Sequence, residues 1–253
     1  MEERATVVHL PGGPLPYTLR HSPRARTLRV VIHPDRGVVV TVPATRAGRL
    51  DGERRAAMFL GQRETWVRRH LGKQAETAAL LAARGGARDG GCVPFRGELH
   101  AVRVVPAVSG LTRSHVVHLP TTRDLVIHRV ARDRRSPAAI LTAWLRVEAR
   151  AAIDEAVVRH AGPLGVTPGA ITLRDPRSRW GSASRSGRLS FSWRLVLAPP
   201  DALESVVVHE LAHLRVFGHG PRFWSLVASR QPDHAVWRRW LHQHATELHG
   251  ALG

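Results

Sequence analysis

The distribution of apolar and polar positions changes character at a glycine-rich run, Gly85–Gly91. Before this run, short β-branched segments predict strands, and apolar residues at helical spacing then predict helix from Thr45 to Ala83. Because the run interrupts both periodicities, it is typical of a loop or linker. We therefore expect an N-terminal β-hairpin and helix region, residues 1–91, and a second region, residues 92–253. The predicted strands of the first region are Thr6–Leu10, Tyr17–Arg20, Leu28–Ile32 and Val38–Val42, with a hairpin turn at His33–Gly37.

The second region begins with strands and ends with helices. Ser136 and Pro137 are the residue types of an N-cap and a first helical position, so a long helix is predicted from there to about His160. Further helices are predicted after Pro199, after Pro221 and after Gln231–Asp233. The order of elements predicts an α+β fold, with an antiparallel sheet packed against helices. The predicted strands are Val93–Val105, Val116–Leu119, Leu125–Val130, Ala170–Arg174 and Arg188–Leu197.

The helix that follows Pro199 carries two histidines and a glutamate, in the order His209-Glu210-Leu211-Ala212-His213. Histidines four residues apart project from the same face of a helix, so both can bind one metal ion. The glutamate between them is free to accept a proton from a metal-bound water. The motif therefore predicts a catalytic zinc site with Glu210 as the general base.

The same helix has terminus signals on both sides. Asp201 is the predicted N-cap, and Glu204, three residues later, occupies the capping-box position. Gly218 is the predicted C-terminal stop of a helix of about 17 residues, whose other side chains are mostly apolar. A metal site explains two histidines and a glutamate on such a buried helix better than core packing does.

Classes of zinc hydrolase differ in the third protein ligand, which binds the zinc ion together with the two histidines of the motif. The metzincin class has a glycine where this chain has Val216 and a methionine turn downstream, whereas the methionines here are Met1 and Met58. That class is excluded. In the thermolysin-like class the third ligand is a later glutamate, for which Glu247 is the candidate. We favour His219, six residues after the second histidine, as the third ligand.

The composition adds a strong positive charge. The chain has 38 lysines and arginines against 20 acidic residues, and the net charge of +18 predicts non-specific attraction to nucleic acids. Because Lys73 is the single lysine and the arginines are spread along the chain, GC-rich coding explains part of this charge. The single cysteine, Cys92, excludes an internal disulfide and fits a reducing cytoplasm. Without a long apolar run or the features of a signal peptide, the protein is expected to be cytoplasmic, with no membrane association.

Several motifs occur together in this chain. They are Arg179-Trp180-Gly181-Ser182, Ser192-Trp193-Arg194-Leu195, the histidine motif with His219, and Pro221-Arg222-Phe223-Trp224, with further matches at Leu28–Pro43, Trp66, Pro232-Asp233 and Trp240-Leu241. With these motifs the chain resembles the YgjP-like (DUF45) metallopeptidase domain, which is related to the SprT and WLM metallopeptidases. The resemblance implies a small zincin-type fold, with His209, His213 and His219 as zinc ligands and Glu210 as catalytic acid and base. The family usually has a cysteine where this chain has Ala183, so a thiol role at that position is absent or dispensable here.

The resulting prediction is a zinc-dependent metallopeptidase that acts on a peptide or protein substrate. Arg179 and Trp180 are expected to bind the substrate, and Arg188–Leu197 is expected to offer an edge along which an extended peptide can pair. Two alternatives stay open. One is a metal-dependent hydrolase of nucleotide phosphoanhydrides, since arginines bind phosphate well. The other is a basic protein associated with nucleic acids, in which the zinc ion is structural.

Overall fold

The computed structural model describes residues 2–33, 36–45 and 50–253. Two parts of the sequence predictions lie outside the described residues. These are the centre of the predicted hairpin turn, residues 34–35, and a segment near the start of the predicted helical stretch, residues 46–49.

Two compact units, Met1–Ala79 and Leu80–Gly253, each have a hydrophobic core. The division falls inside a helix, N-terminal to the glycine run at which the periodicity of the sequence changes. The described residues form six α-helices and three sheets, which confirms the predicted α+β class. The predicted antiparallel arrangement is wrong, because each of the three sheets contains a parallel pair of strands. Among these residues, none of the helices has both the length and the apolar character needed to cross a membrane.

The first unit is built from a four-stranded sheet and helices. Its sheet has the order β1-β2-β4-β3, with β2 and β4 parallel and the two outer pairs antiparallel. All four predicted strands are confirmed, and the helical stretch is interrupted at Arg63, which leaves the helical conformation. The elements are β1 (Glu2–Leu10), β2 (Gly13–Ser22), β3 (Arg29–His33), β4 (Gly37–Pro43), α1 (Gly52–Gln62) and α2 (Glu64–Arg84), the last of which continues into the second unit.

The core of the first unit is formed by one face of the sheet and one face of the helices, as the strand and helix periodicities of the sequence require. Side chains alternate across a strand, so every second residue of β2 and of β4 points to the same face. Residues four apart share one face of a helix, and this spacing brings Ala56 and Leu60 of α1 to the sheet. The buried residues are Leu15, Tyr17, Leu19, Val38, Val40, Val42, Ala56, Leu60 and Val67.

The second unit begins with a sheet of the same connectivity, β5-β6-β8-β7, again with a parallel pair at its centre. The predicted strand Val93–Val105 is wrong in one respect, because it is a hairpin. Its turn residues Arg96 and Gly97 both have positive φ, as a tight two-residue turn between antiparallel strands requires. The strands are β5 (Cys92–Phe95), β6 (Glu98–Pro106), β7 (His115–Leu119) and β8 (Asp124–Arg129).

A long helix, α3 (Pro137–Leu164), supports the remaining elements of the second unit. Its predicted start is confirmed, because the Ser136 hydroxyl accepts a hydrogen bond from the Ala139 N–H at 3.2 Å. The helix continues beyond the predicted end and stops at Gly165, which has the left-handed conformation. Its buried stripe, Leu141, Leu145, Ala149 and Ile153, has a spacing of four residues and packs in the main core.

A small sheet, β10-β11-β9, precedes the histidine helix and consists of β9 (Ile171–Arg174), β10 (Gly181–Ala183) and β11 (Leu189–Ser192). The predicted strand Arg188–Leu197 is therefore correct in its first half only. Residues Trp193–Leu197 form a 3-10 helix, which begins where the Ser192 hydroxyl accepts a hydrogen bond from the Arg194 N–H. An apolar run that is wholly buried has no periodicity that separates strand from helix.

The histidine helix, α4 (Pro200–Ala212), is shorter than predicted. Its N-cap is Pro199, and no side chain caps it, so the predicted capping roles of Asp201 and Glu204 are wrong. The helix ends six residues before Gly218, because a tighter turn begins at His213. Two further helices complete the chain, α5 (Pro221–Ala228) and α6 (His234–Gly250).

Candidate metal centre

Helix α4 brings His209 and His213 onto one face. Their Nε2 atoms are 3.2 Å apart, as expected for side chains one turn apart that point at the same position. The opposite face of the helix carries Val207 and Leu211, which are fully buried in the main core. Packing of this apolar face therefore fixes the direction in which the two imidazoles point.

The third histidine reaches the same point from the segment after the helix. The N–H groups of Leu214 and Arg215 bond to carbonyls three residues earlier, so the chain turns sharply once α4 ends. Gly218, with φ of +88°, then redirects the chain. His219 Nε2 lies 3.2 Å from His209 Nε2. Within the described part of the chain, these three histidines are the one group of metal-ligating side chains that converges in this way.

The three nitrogens fit a metal ion of the size of zinc. Tetrahedral coordination with bonds of about 2.0–2.1 Å places two ligand nitrogens about 3.3 Å apart, close to the observed spacing. His213 Nδ1 lies 3.3 Å from the Val216 carbonyl, and donation of a proton to this oxygen leaves the Nε2 lone pair available. Burial lowers the pKa of His209 to about 4 and also lowers the pKa of His213, so both rings are neutral at pH 7.

A buried phenylalanine supports all three imidazoles. Phe223 of α5 has no exposed surface, and its ring centroid lies 4.4 Å from that of His213, 4.9 Å from that of His209 and 5.0 Å from that of His219. Trp224 extends this wall, with its ring 5.7 Å from the rings of His209 and His219. The spacing of the histidines in α4 does not by itself fix the positions of their rings. The contacts with Phe223 and Trp224, near the start of α5, fix them.

Glu247, the alternative third ligand, has another partner. Its carboxylate forms an ion pair with the guanidinium of Arg84, and it is not a member of the converging group. A carboxylate that neutralises a cation elsewhere is not available as a metal ligand at this site. The geometry favours the three-histidine set.

Among the described residues, Glu210 is the buried carboxylate that lies next to the three histidines. Only 6% of its surface is exposed, and burial raises its pKa to about 7 against the opposing effects of Arg179 and of a hydrogen bond from the Ala183 N–H. Among the described residues it forms no ion pair. This N–H is a backbone group, so alanine provides it as well as the cysteine expected from the family would.

The carboxylate of Glu210 fits against a glycine. A Cβ atom at Gly181 would lie 2.7 Å from both Cγ and Oε1 of Glu210, closer than real contacts allow. Glycine at this position of the Arg-Trp-Gly-Ser motif therefore gives the Glu210 side chain its space. Sequence reasoning assigned no role to Gly181, because the contact joins residues that are distant along the chain.

A cavity of about 510 Å³ opens beside His209 and Glu210. Both predicted substrate-binding residues line it: Arg179 is exposed, and Trp180 is half-buried, with its ring stacked on that of His249 at 5.0 Å. Trp180 also packs against the main core, so it has a structural role as well. One face of α6 forms much of the opposite wall, through His234, Arg238, Leu241, His242, Ala245 and His249.

The strand predicted as a docking edge does not have a free edge. Strand β11 lies between β10 and β9 and pairs with both. The exposed edge of this sheet next to Glu210 belongs to β10 instead. Because Trp180 and Ser184 bond to the β11 side, the backbone groups of Gly181 and Ala183 point to the open side, where the Ala183 N–H meets Glu210.

Comparison with known proteins identifies one family. A family model described as the YgjP-like metallopeptidase domain matches residues 26–244, which include the three histidines, Glu210 and the cavity residues up to His242. Searches of curated proteins and of solved structures find no match. Since the match spans most of the sequence, the chain belongs to the YgjP-like metallopeptidase domain family.

Proposed function

We propose that this protein is a zinc-dependent metallopeptidase with a small zincin-like core. His209, His213 and His219 are the proposed zinc ligands, and Glu210 is the proposed general base and acid. The observation that carries the proposal is the convergence of three imidazole nitrogens beside a buried carboxylate that forms no ion pair with any described residue. A purely structural zinc site needs no such carboxylate, whereas hydrolysis of a peptide bond does.

When bound, zinc supplies a Lewis acid for the scissile carbonyl and lowers the pKa of a water ligand. Glu210 would accept the proton that the attacking water releases. It would then give the same proton to the amide nitrogen as the C–N bond breaks, which regenerates the carboxylate. Burial raises the pKa of Glu210 in the metal-free chain, and a more basic carboxylate is a better proton acceptor.

The edge of β10 is the proposed position of the substrate backbone. An extended peptide can add to an exposed strand through main-chain hydrogen bonds, without regard to its side chains. Gly181 lies on this edge and contacts the Glu210 side chain, so a peptide paired there would pass next to the catalytic carboxylate. Arg179 and Trp180 precede the strand and are placed to contact side chains of the same peptide.

Three variants test the assignment. Glu210→Gln should retain stoichiometric zinc and lose peptide turnover by about 10²–10⁴-fold, because it removes proton transfer alone. His219→Ala should weaken zinc binding by more than about 100-fold, since it removes a ligand. Glu247→Gln is the matched control and should retain zinc. The measurements are metal content by mass spectrometry and cleavage of casein or peptides with and without a chelator.

Two results would contradict the proposal. Full peptidase activity in Glu210→Gln would exclude the proposed general base. Zinc loss in Glu247→Gln, with zinc retained in His219→Ala, would restore the thermolysin-like ligand set. A structural zinc ion in a nucleic-acid-binding protein predicts a third pattern, in which salt-dependent DNA binding is the activity and Glu210→Gln leaves it unchanged.

A further inference from the structure

The cavity beside the metal centre is lined by an excess of positive charge. Arg177, Arg179 and Arg238 line it, whereas Glu210 is the one acidic residue among its described lining residues. Burial lowers the pKa of His234 and of His249, and nearby arginines lower both further, so these two rings are neutral at pH 7. The positive charge of the cavity therefore comes from arginine, which keeps it at every pH at which the protein is folded.

Arg238 has no acidic partner among the described residues, and Arg179 acts electrostatically on Glu210 without forming an ion pair with it. Arg179 and Arg238 form no ion pair there, unlike Arg194 and Arg159, which pair with carboxylates on the same unit. The guanidinium of Arg238 lies over the Trp224 ring, 4.8 Å from its centroid. Stacking on an aromatic ring orients a guanidinium and leaves its N–H groups free to donate in the ring plane.

Both arginines stand close to the reacting groups. The guanidinium of Arg238 stacks on the Trp224 ring, and this ring lies 5.7 Å from the rings of His209 and His219. Arg179 is two residues before Gly181, whose position is in contact with Glu210. A ligand group held by either guanidinium would therefore lie in the same cavity as a peptide bond at the metal centre.

We propose that this cavity binds a carboxylate of the peptide substrate, so that cleavage occurs beside an acidic residue or a free C-terminus. The inference rests on the proposed peptidase function and adds the substrate class to it. A guanidinium matches the planar carboxylate with two parallel hydrogen bonds, which a neutral amide cannot reproduce. The apolar surfaces of Trp180, Trp224 and Leu241 cover the rest of the cavity and suit the methylene groups of such a residue.

The test measures peptide binding separately from cleavage. Zinc-loaded Glu210→Gln protein is titrated with dye-labelled peptide libraries in which one fixed position is Glu, Gln or Lys and the C-terminus is amidated. A fourth library has neutral residues and a free C-terminus. Comparison of the libraries therefore shows whether the bound carboxylate comes from a side chain or from the C-terminus. The Glu library or the free-acid library should bind about tenfold more tightly than the Gln library, and added salt should reduce this preference.

The arginines are tested in the same protein. Arg179→Gln and Arg238→Gln should each remove most of the preference for a carboxylate and leave binding of the neutral library nearly unchanged. Arg134→Gln is the matched control, because Arg134 is exposed, lies outside the cavity and has no ion pair among the described residues. Equal loss for all libraries, or the same loss in the control, would overturn the proposal.

Cleavage by the wild-type protein separates the inference from the function on which it rests. If neutral and acidic libraries bind and are cleaved equally, the peptidase function stands and the carboxylate site is wrong. If acidic libraries bind selectively but no library is cleaved, the carboxylate site stands and the peptidase function is wrong. Tight binding and hydrolysis of a nucleoside triphosphate, without selective peptide binding, would overturn both.

Discussion

The two ends of helix α4 hold glutamates in opposite surroundings. Glu204, near the start, accepts hydrogen bonds from Arg159 at 3.0 Å and from the buried ring of His160. Burial alone would raise the pKa of Glu204, but these partners lower it below its ordinary value. Glu210, near the end, is more deeply buried, and its pKa is raised to about 7. One helix therefore contains a carboxylate whose partners outweigh the cost of burial and a carboxylate whose burial is only partly offset, by Arg179 and the Ala183 N–H.

The difference separates a structural role from a chemical one. Partners that outweigh the cost of burial keep a carboxylate charged, whereas a buried carboxyl whose partners do not outweigh this cost destabilises the fold in its charged form. The folded chain accepts that penalty at Glu210, where the three histidines and the cavity converge. Substitutions that remove the charge of either carboxylate, or that fill the space beside Glu210, distinguish the two sites.

Among the substitutions that compare these two sites, the largest effect on turnover is expected from the space around Glu210. Gly181→Ala should reduce peptide turnover by about 100-fold, because the new methyl group displaces the Glu210 carboxylate and a shift of about 1 Å has effects of this size. The side chain is flexible, so the fold and the zinc content should be retained. Turnover and metal content are measured on the same preparation.

A second glycine provides the control for this substitution. Gly162, in helix α3, has no atom within 4 Å of the position a Cβ would take, so Gly162→Ala should leave turnover unchanged. If Gly181→Ala keeps full activity, the contact between Gly181 and Glu210 does not determine the position of the catalytic carboxylate.

The next effect concerns stability and pH at Glu210. Its pKa is higher in the folded chain than the ordinary value of 4.5, so the folded state binds more protons between these two pH values and loses stability as the pH rises. In chelator-treated protein, Glu210→Gln should therefore be more stable than wild type at pH 8, by as much as about 3 kcal/mol. At pH 4 the two should be nearly equal. Urea denaturation at both pH values measures this, and a stabilisation that does not depend on pH would contradict it.

The smallest effect is expected at Glu204, where removal of the charge should destabilise the protein instead of stabilising it. Glu204→Gln should destabilise the protein by about 2 kcal/mol at pH 7, because it weakens two hydrogen bonds to a charged, largely buried group. The lowered pKa means that this stabilisation is present above pH 4.5 and is lost as the pH falls through the folded-state value. Glu155→Gln is the control, since Glu155 pairs with the same Arg159 but is exposed, and it should change stability by less than about 0.5 kcal/mol. Equal effects of the two substitutions in thermal denaturation would show that the burial of Glu204 is irrelevant.

The sequence predicts the convergence of His209 and His213 because a spacing of four residues has one geometric meaning on a helix. The start of α3 is predicted for a similar reason, since Ser136 and Pro137 have local roles that do not depend on the rest of the fold. His219 is also brought to the site as predicted, through a glycine with positive φ. Its role as a ligand, like that of Glu210, stays a prediction.

Features set by tertiary packing are not predictable in this way. Glu204 has the spacing of a capping box, but the partners available on α3 make it an ion-pair residue instead. The contacts of Phe223 with three imidazoles and of Gly181 with Glu210 join residues that no local pattern connects. The edge position of β10 depends on the strand order of its sheet, which a strand prediction does not contain.

The turn between His213 and His219 also limits how this sequence can change in length. The Val216 carbonyl and His219 must both return to the side of His213, through a segment that carries little buried surface of its own. Inserting or deleting one residue moves the following chain by about 3.8 Å, which exceeds the 3.2 Å between the Nε2 atoms of His209 and His219. Substitution of the exposed Phe217 preserves this distance. Exposed positions such as Phe217 can therefore vary over generations, whereas the number of residues in the segment cannot.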